Sequence, residues 1–407
     1  MSGLNETPRA ERLHIGIYGR RNNGKSSLIN AITGQNISLV SDVEGTTTDP
    51  VYKSMELHGI GPVVFIDTAG FDDEGNLGKL RVERTLDAIN KTDIAIIVFS
   101  DKNIKNQEEI DIEIEKIWIE KLKKAKIPYL LVLNKTDKIE TILLEKFKSE
   151  IIDKLKFNPI LTSTVEKKGI TQIREELIRL LPEDYSMRSI TSKIVNDGDT
   201  VLLVMPQDIQ APKGRLILPQ VQTIRDLLDN KCLVFCSTYE NMDLMLSKLI
   251  SPPNLIITDS QIFGDVYNKK PKESKLTSFS VLFADFKGDI DYYRESVKAI
   301  EKLTEKSKVL IAEACTHAPL EEDIGRVKIP NRLRKKVGKE IQFDIVSGRD
   351  FPKNLKEYDL IIHCGGCMFN RKYVLSRIEM AKEQNVPMTN YGVVMAYLSG
   401  IIDKIDF

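Results

Sequence analysis

The stretch that most restricts what this chain can fold into is GRRNNGKS, Gly19 to Ser26, set between the apolar run LHIGIY (Leu13 to Tyr18) and SLINAITG (Ser27 to Gly34). Such an order predicts a strand, a glycine-rich loop and a helix whose N-terminus faces an anion. Gly19 and Gly24 let the backbone curl so that successive N–H groups point at phosphate oxygens. The expected cradle runs through Gly19, Asn22, Asn23, Gly24, Lys25, Ser26 and Ser27. Lys25 is expected to reach the β- and γ-phosphates, and the Ser26 hydroxyl to hold Mg2+. This unit predicts an α/β domain with a mostly parallel sheet.

Two further motifs follow, each closing an apolar run of the kind buried on both faces of a parallel sheet. DTAG (Asp67 to Gly70) is expected to set Asp67 near Mg2+ and the Gly70 N–H near a γ-phosphate. NKTD (Asn134 to Asp137), with Lys135 inside it, selects the base. A carboxylate at Asp137 can accept both N1–H and the exocyclic amino group of guanine. Adenine offers neither donor there, and such mismatches cost on the order of 10⁴-fold. GTP is therefore the expected nucleotide. Ser163 and Thr164, in NPILTST, are expected to contribute to the base site. EGTTTDP (Glu44 to Pro50) is the expected switch loop, with the Thr47 hydroxyl as an Mg2+ ligand when the γ-phosphate is present. Lys25, Thr47, Asp67 and Gly70 are the candidate catalytic residues.

Two details bear on hydrolysis. The residue after DTAG is Phe71, where many GTPases carry a glutamine that orients the attacking water. Phenylalanine cannot hydrogen-bond water, so slow intrinsic hydrolysis is expected. Asn22 occupies a position that resembles the TrmE/Era-like GTPases, in which this asparagine accompanies a K+ ion beside the phosphates. Such an ion would take the part of an arginine finger. The charged segment Asn106 to Lys126, acidic first and basic last, suits a helix macrodipole and reads as a solvated face without a function.

Beyond Pro182 the sequence predicts two more α/β units. Strands are expected at VLLVMP, CLVFC and NLIITD, then a linker at NKKPKESK (Asn268 to Lys275). The last unit is expected to begin with a strand at SVLFAD (Ser280 to Asp285) and to continue through KVLIAEA, QFDIVSG and YDLIIH. Two motifs end predicted strands there. EACTH supplies Cys315 and His317, and HCGGC supplies His363, Cys364 and Cys367. If both strands are parallel members of one sheet, three thiols and two imidazoles share one edge, where open α/β sheets bind ligands. Three thiolates select zinc or an iron–sulfur cluster. Zinc would take three cysteines and a histidine, whereas a cubane takes four cysteines and no fourth is nearby. One iron would then be held by His317 or His363, by an acidic residue of EED (Glu321 to Asp323) such as Glu322, or by an exchangeable ligand. A dithiol redox centre and no joint site are the other readings of the same residues. Cys232 and Cys236, about 13 Å apart on an extended strand, are too distant for a disulfide and read as structural.

Lysine plus arginine balance aspartate plus glutamate at 59 each, so no strong overall field attracts nucleic acid or an anionic membrane. No apolar run approaches the roughly 20 residues that span a bilayer, and no apolar signal core stands at the start. A cytoplasmic protein without membrane or nucleic-acid partners is expected.

TPRAERLHIGIYGRRNNGKSSLINAITGQ, EGTTTDPV, DTAGFDDEG, NKTD, EACTHAPLEEDIGRVKIP and HCGGCMFNRKYVLSRI together closely resemble the HydF family, the GTPases that mature iron–iron hydrogenases. The resemblance implies three domains: a GTP-binding domain over 10–182, a small α/β dimerisation domain over 195–267, and an α/β cluster-binding domain over 276–407. It implies a 4Fe-4S cluster on Cys315, Cys364 and Cys367. It also implies a homodimeric scaffold that accepts a di-iron precursor made with two radical S-adenosylmethionine maturases and delivers it to apo iron–iron hydrogenase. The competing reading is a K+-dependent TrmE/Era-like GTPase of tRNA modification or ribosome assembly with a structural zinc site.

Overall fold

β1 (Leu13–Gly19) is buried at all seven residues, as a run of apolar residues in the middle of a parallel sheet must be. The computed structural model describes residues 7–34, 50–68, 70, 84–105, 109–182, 185, 188–206, 216–314, 323–348 and 350–407. These fall into two units, Met1–Ser186 and Met187–Phe407.

In the first unit β1 is joined by β2 (Val51–Leu57), β3 (Gly61–Asp67), β4 (Ile94–Phe99), β7 (Tyr129–Leu133) and β8 (Ile160–Leu161), with a short hairpin of β5 (Ile104–Lys105) and β6 (Glu109–Ile110) standing apart. The six-stranded order is β2-β3-β1-β4-β7-β8. Only the edge strand β2 runs antiparallel to its neighbour. Side chains alternate between two cores. Ile15, Ile17, Ile94, Ile96 and Val98 pack with Leu28 and Ile29 of helix Lys25–Thr33 and with Ile173 and Leu177 of helix Ile170–Arg179. Tyr18, Ala95, Ile97 and Phe99 pack on the other face with Trp118 and Leu122 of helix Glu113–Lys124 and with Phe147 of helix Thr141–Leu155. The register Ile17↔Asp67 and Gly19↔Val98 brings the carboxyl ends of β3, β1 and β4 to one edge.

The second unit holds two parallel four-stranded sheets. The central one, β10-β9-β11-β12, comprises β9 (Thr200–Val204), β10 (Leu233–Ser237), β11 (Leu255–Thr258) and β12 (Lys275–Ser278). The other, β14-β13-β15-β16, comprises β13 (Lys308–Glu313), β14 (Gln342–Ser347), β15 (Leu360–His363) and β16 (Met388–Asn390).

Two expectations are corrected here. SVLFAD is not a strand but most of helix Phe279–Lys287, begun by the Ser278 hydroxyl accepting from the Val281 N–H at 3.3 Å. Its sequence is apolar on nearly every side because it is buried on nearly every side. Phe279, Leu282 and Phe283 pack under the central sheet against Val201, Leu203 and Ile257, while Ala284 joins the core of the last sheet. A short continuous apolar run reads the same for a buried strand and a buried helix. The expected linker 268–275 is likewise structure: Lys275 opens β12, in register with Leu255. The outer edge of β12 is covered by the chain's last residues. Asp406 donates its N–H to Leu276 O at 2.9 Å and accepts the Leu276 N–H at 3.2 Å. Ile401 and Ile405 pack with Leu202 and Val204, so an otherwise open strand edge is closed.

Candidate functional site

At the shared edge of the first sheet, the loop after β1 turns through Asn22 at φ 63° and Gly24 at φ 82°, in the left-handed region that favours glycine. A Cβ on Gly24 would come within 2.5 Å of Asn134 Nδ2, which donates to Asn23 O at 3.0 Å and so ties the base motif to the loop. Lys25 is buried, and its ammonium donates to Gly19 O (3.0 Å) and Arg20 O (2.9 Å), closing the loop on itself. The Ser26 hydroxyl donates to Asp67 Oδ2 at 2.5 Å, so the two expected Mg2+-side groups meet across β1 and β3. At the base end, Asp137 is exposed and its Oδ1 accepts from the Ser163 hydroxyl at 2.6 Å, which orients the carboxylate. Lys135 donates to Asn22 O at 2.5 Å. Thr164 is half-buried and Ser27 exposed at the helix start, with Gly70 after the end of β3. Thr47, Ala69 and Phe71, with the rest of the expected switch segments except Pro50, lie outside the described residues.

The side chain of Asn23 turns away from the face on which the cradle of backbone N–H groups is expected. Its side chain is fully buried and faces β4, with Nδ2 donating to Val98 O at 2.6 Å and Oδ1 accepting from the Ser100 hydroxyl at 2.8 Å. It braces the loop from behind. The charged helix 113–124 also departs from the solvated face expected of it. Glu115 is fully buried and accepts from Arg20 Nε (2.8 Å) and Asn103 Nδ2 (2.9 Å), while Arg20 also meets Asp111 Oδ2 at 3.3 Å. A hydrogen bond from Lys105, with help from the Glu113 N–H and Arg20, holds the Asp111 carboxyl down at about 2. A buried network thus anchors the second residue of the phosphate loop, and no local sequence signal announces it.

In the second unit, β13 and β15 are parallel neighbours with Ala312 opposite His363, so the expected shared edge for EACTH and HCGGC exists. Cys315, His317 and Glu322 lie outside the described residues. Ala314, adjacent to Cys315 in sequence, donates its N–H to Cys364 Sγ at 3.0 Å, and Gly366 donates to the same sulfur at 3.4 Å. Two N–H donors on one sulfur suit a thiolate ligand; in the free thiol, burial pushes Cys364 up to about 11. Gly366, at φ 63°, makes the turn that returns the chain to Cys367. Both cysteines are half-buried and unbridged.

The loop is held from behind by two buried cations. Lys287 donates to Gly366 O (3.3 Å), Cys367 O (3.3 Å) and Phe369 O (2.9 Å). Arg377, in helix Arg371–Glu383, donates to His363 Nε2 at 3.0 Å and Gly348 O at 2.6 Å. His363 Nδ1 lies 2.7 Å from Cys364 O. The two partners fix the tautomer, with the proton on Nδ1. Burial, reinforced by Arg377, pushes His363 down to about 3. Both ring nitrogens being engaged, His363 offers no lone pair to a metal in this arrangement and instead supports the loop. Neither cation was legible as a site residue.

A curled loop that opens helix Lys25–Thr33 at the carboxyl edge of a mostly parallel sheet, tied to the NKTD segment through Asn134, is the arrangement of a P-loop GTPase domain. Residues 14–135 match the family model described as 50S ribosome-binding GTPase. Residues 190–288 match the Hydrogen maturase F dimerization domain and residues 291–405 its tetramerization domain. With all three in sequence, the chain belongs to the hydrogen maturase F (HydF) family. It is 33% identical to GTPase Der of Wolinella succinogenes over 202 residues, covering 46% of this chain and 39% of that one. It is 37% identical to the tRNA modification GTPase MnmE of Chromobacterium violaceum over 128 residues, 31% and 27% of the two chains. The chain thus spans less than half the length of these curated relatives. A solved structure of an Aquifex aeolicus Era variant bound to GDP and aluminium fluoride aligns with 17% identity and TM-score 0.35, over 55% of this chain and 92% of that one. Among the described residues no helix is long and apolar enough to cross a membrane.

Proposed function

We propose that this chain is a hydrogenase-maturation scaffold: a GTPase whose second unit binds a 4Fe-4S cluster and carries a di-iron precursor to apo iron–iron hydrogenase. The observation that carries the cluster reading is the approach of the two cysteine motifs, with the Ala314 N–H 3.0 Å from Cys364 Sγ. In this reading Cys364, Cys367 and Cys315 are the thiolate ligands. The fourth position is left to His317, Glu322 or an exchangeable group, since His363 is otherwise engaged. When bound, the cluster would supply an iron with a replaceable ligand, fit for holding a precursor that must later be released. The precursor would come from radical S-adenosylmethionine maturases.

In the GTPase domain, Asp137 and Asn134 select guanine and Lys25 receives the phosphates, leaving its carbonyl partners. Ser26, with Thr47, holds Mg2+, and the Asp67 carboxylate, 2.5 Å from the Ser26 hydroxyl, steadies it. With phenylalanine at position 71, K+ at Asn22 is the group that would speed an otherwise slow hydrolysis. Hydrolysis times the exchange of partners.

The family's dimerization region contains an edge strand suited to self-association. β10 is half exposed along its length, with Leu233 at 57%, and Leu228 (55%) and Leu244 (58%) flank it. An unpaired apolar strand edge is a template for a second copy.

The test is anaerobic reconstitution with iron and sulfide, followed by metal analysis and electron paramagnetic resonance of the reduced protein, with Cys364→Ala and Cys315→Ala as controls. The expected result is a 4Fe-4S signal that both substitutions abolish. Stoichiometric zinc without a paramagnetic cluster would overturn the scaffold reading in favour of a GTPase with a structural metal.

A further inference from the structure

Arg377 is a buried cation that the reading above leaves without a role beyond holding the loop. It is 2% exposed, and among the described residues no carboxylate lies within ion-pair distance of it. Its cage is aromatic: the guanidinium carbon lies 4.6 Å from the Phe351 ring, 4.6 Å from Phe369 and 4.8 Å from Tyr373. Its Nε finds no acceptor. Ring faces and three neutral acceptors, His363 Nε2, Gly348 O and, at 3.5 Å, the Tyr373 hydroxyl, are weak compensation for a desolvated cation, and buried charges are ordinarily paired with an opposite charge.

The side chain is aimed at the cysteine loop. Nη1 donates to His363 Nε2 at 3.0 Å, and the opposite ring nitrogen, 2.7 Å from Cys364 O, donates onward to that carbonyl. The guanidinium therefore polarises a two-bond chain that ends on the backbone of a cysteine. The aromatic cage excludes water, which leaves the field of the cation little screened in the direction of the loop.

We infer that Arg377 is the counter-cation of the cysteine-loop site: a positioning residue that, through His363, compensates the anionic thiolate-bound cluster and favours its reduced form. The inference rests on the cluster reading above. Thiolate-bound cubanes are net anions and become more negative on reduction, so a fixed neighbouring cation raises the reduction potential. It also explains why the cation can remain unpaired in the protein portion alone, since its partner is the cluster.

The experiment is potentiometric titration of the reconstituted full-length chain, monitored by electron paramagnetic resonance, for wild type, Arg377→Met and Arg377→Lys, together with thermal unfolding of each apoprotein. The expected result is that apo Arg377→Met remains folded, that it still assembles a cluster, and that its potential is more negative than wild type. Arg377→Lys, which keeps the charge, should recover most of that shift. An unchanged potential in a loaded Arg377→Met protein would sink this inference alone. Unfolding of the Arg377→Met apoprotein would also overturn it, by making the cation a structural element of the fold. A wild-type chain that takes up no cluster would instead sink the parent reading, and this inference with it.

Discussion

Removing the Glu115 carboxylate should weaken the GTPase unit far more than its place on a charged helix implies. The side chain accepts from Arg20 Nε at 2.8 Å, Arg20 Nη2 at 3.1 Å and Asn103 Nδ2 at 2.9 Å, with no exposure to solvent. Deleting one partner of a buried ion pair strands the other, at about 3–5 kcal/mol. Arg20 would keep Asp111, through its carbonyl at 2.8 Å and its carboxylate at 3.3 Å. The loss from Glu115→Ala should then lie at the lower end, about 3 kcal/mol. With a urea slope of roughly 2 kcal/mol per molar, the midpoint falls by about 1.5 M. The assay is built into the molecule: Trp118 is the only tryptophan, sits one turn along the same helix, and is buried against Tyr18 at 6.2 Å between ring centroids. Its fluorescence therefore reports this unit alone. Replacing Arg20 and Glu115 together by methionine should recover part of the loss, because an apolar pair strands no charge. A Glu115→Ala midpoint within about 0.3 M of wild type, on the same slope, would refute the reasoning.

Asp137→Asn should lower GTP affinity by at least about 10²-fold while improving xanthosine triphosphate binding, since the amide donates where the carboxylate accepted; equilibrium binding of both nucleotides checks it. Acid unfolding followed by Trp118 should steepen as Asp111 takes its proton. That carboxyl is held at about 2 in the fold, so its contribution is complete above its unfolded value of about 3.9 and drains away between about pH 4 and pH 2. Asp111→Asn should flatten that limb. Ser26→Ala should weaken Mg2+-dependent GTP binding and leave iron content unchanged; loss of both would mean that the two sites are not separable. Leu233→Lys on β10 should shift the sedimenting mass toward a smaller species without altering GTP binding, and an unchanged mass would exclude that edge as the self-association surface.

What could be read in advance followed from how local the physics is. Phosphate binding needs a strand, a curled loop and a helix in immediate succession, so β1, Gly24, Lys25 and Ser26 were legible. The edge shared by Ala314 and Cys364 was legible too, since it required only that two apolar runs be parallel neighbours. Long-range partners were not legible. Arg20 and Glu115 stand 95 residues apart in sequence, and nothing near either hints at the other. Asn23 looked like a loop residue because its buried acceptor, Val98 O, belongs to a strand 75 residues on. SVLFAD misled for a different reason: with almost every side of the helix covered, it had no polar face to reveal a helical period.

The return of the chain's end to the central sheet bears on how the protein is made. Leu276 lies on a strand whose outer edge is completed by Asp406, 130 residues later. At roughly 5–20 residues per second, synthesis leaves that edge uncovered for roughly 7–26 s on every ribosome. During that interval the nascent central sheet offers open backbone groups on β12 as well as on β10. Whatever sits on β12 during synthesis, a chaperone or a neighbouring nascent chain, must yield to the chain's own last residues. Competition for β12, more than the stability of either sheet, should then govern how much of the protein reaches its final form when expression is fast.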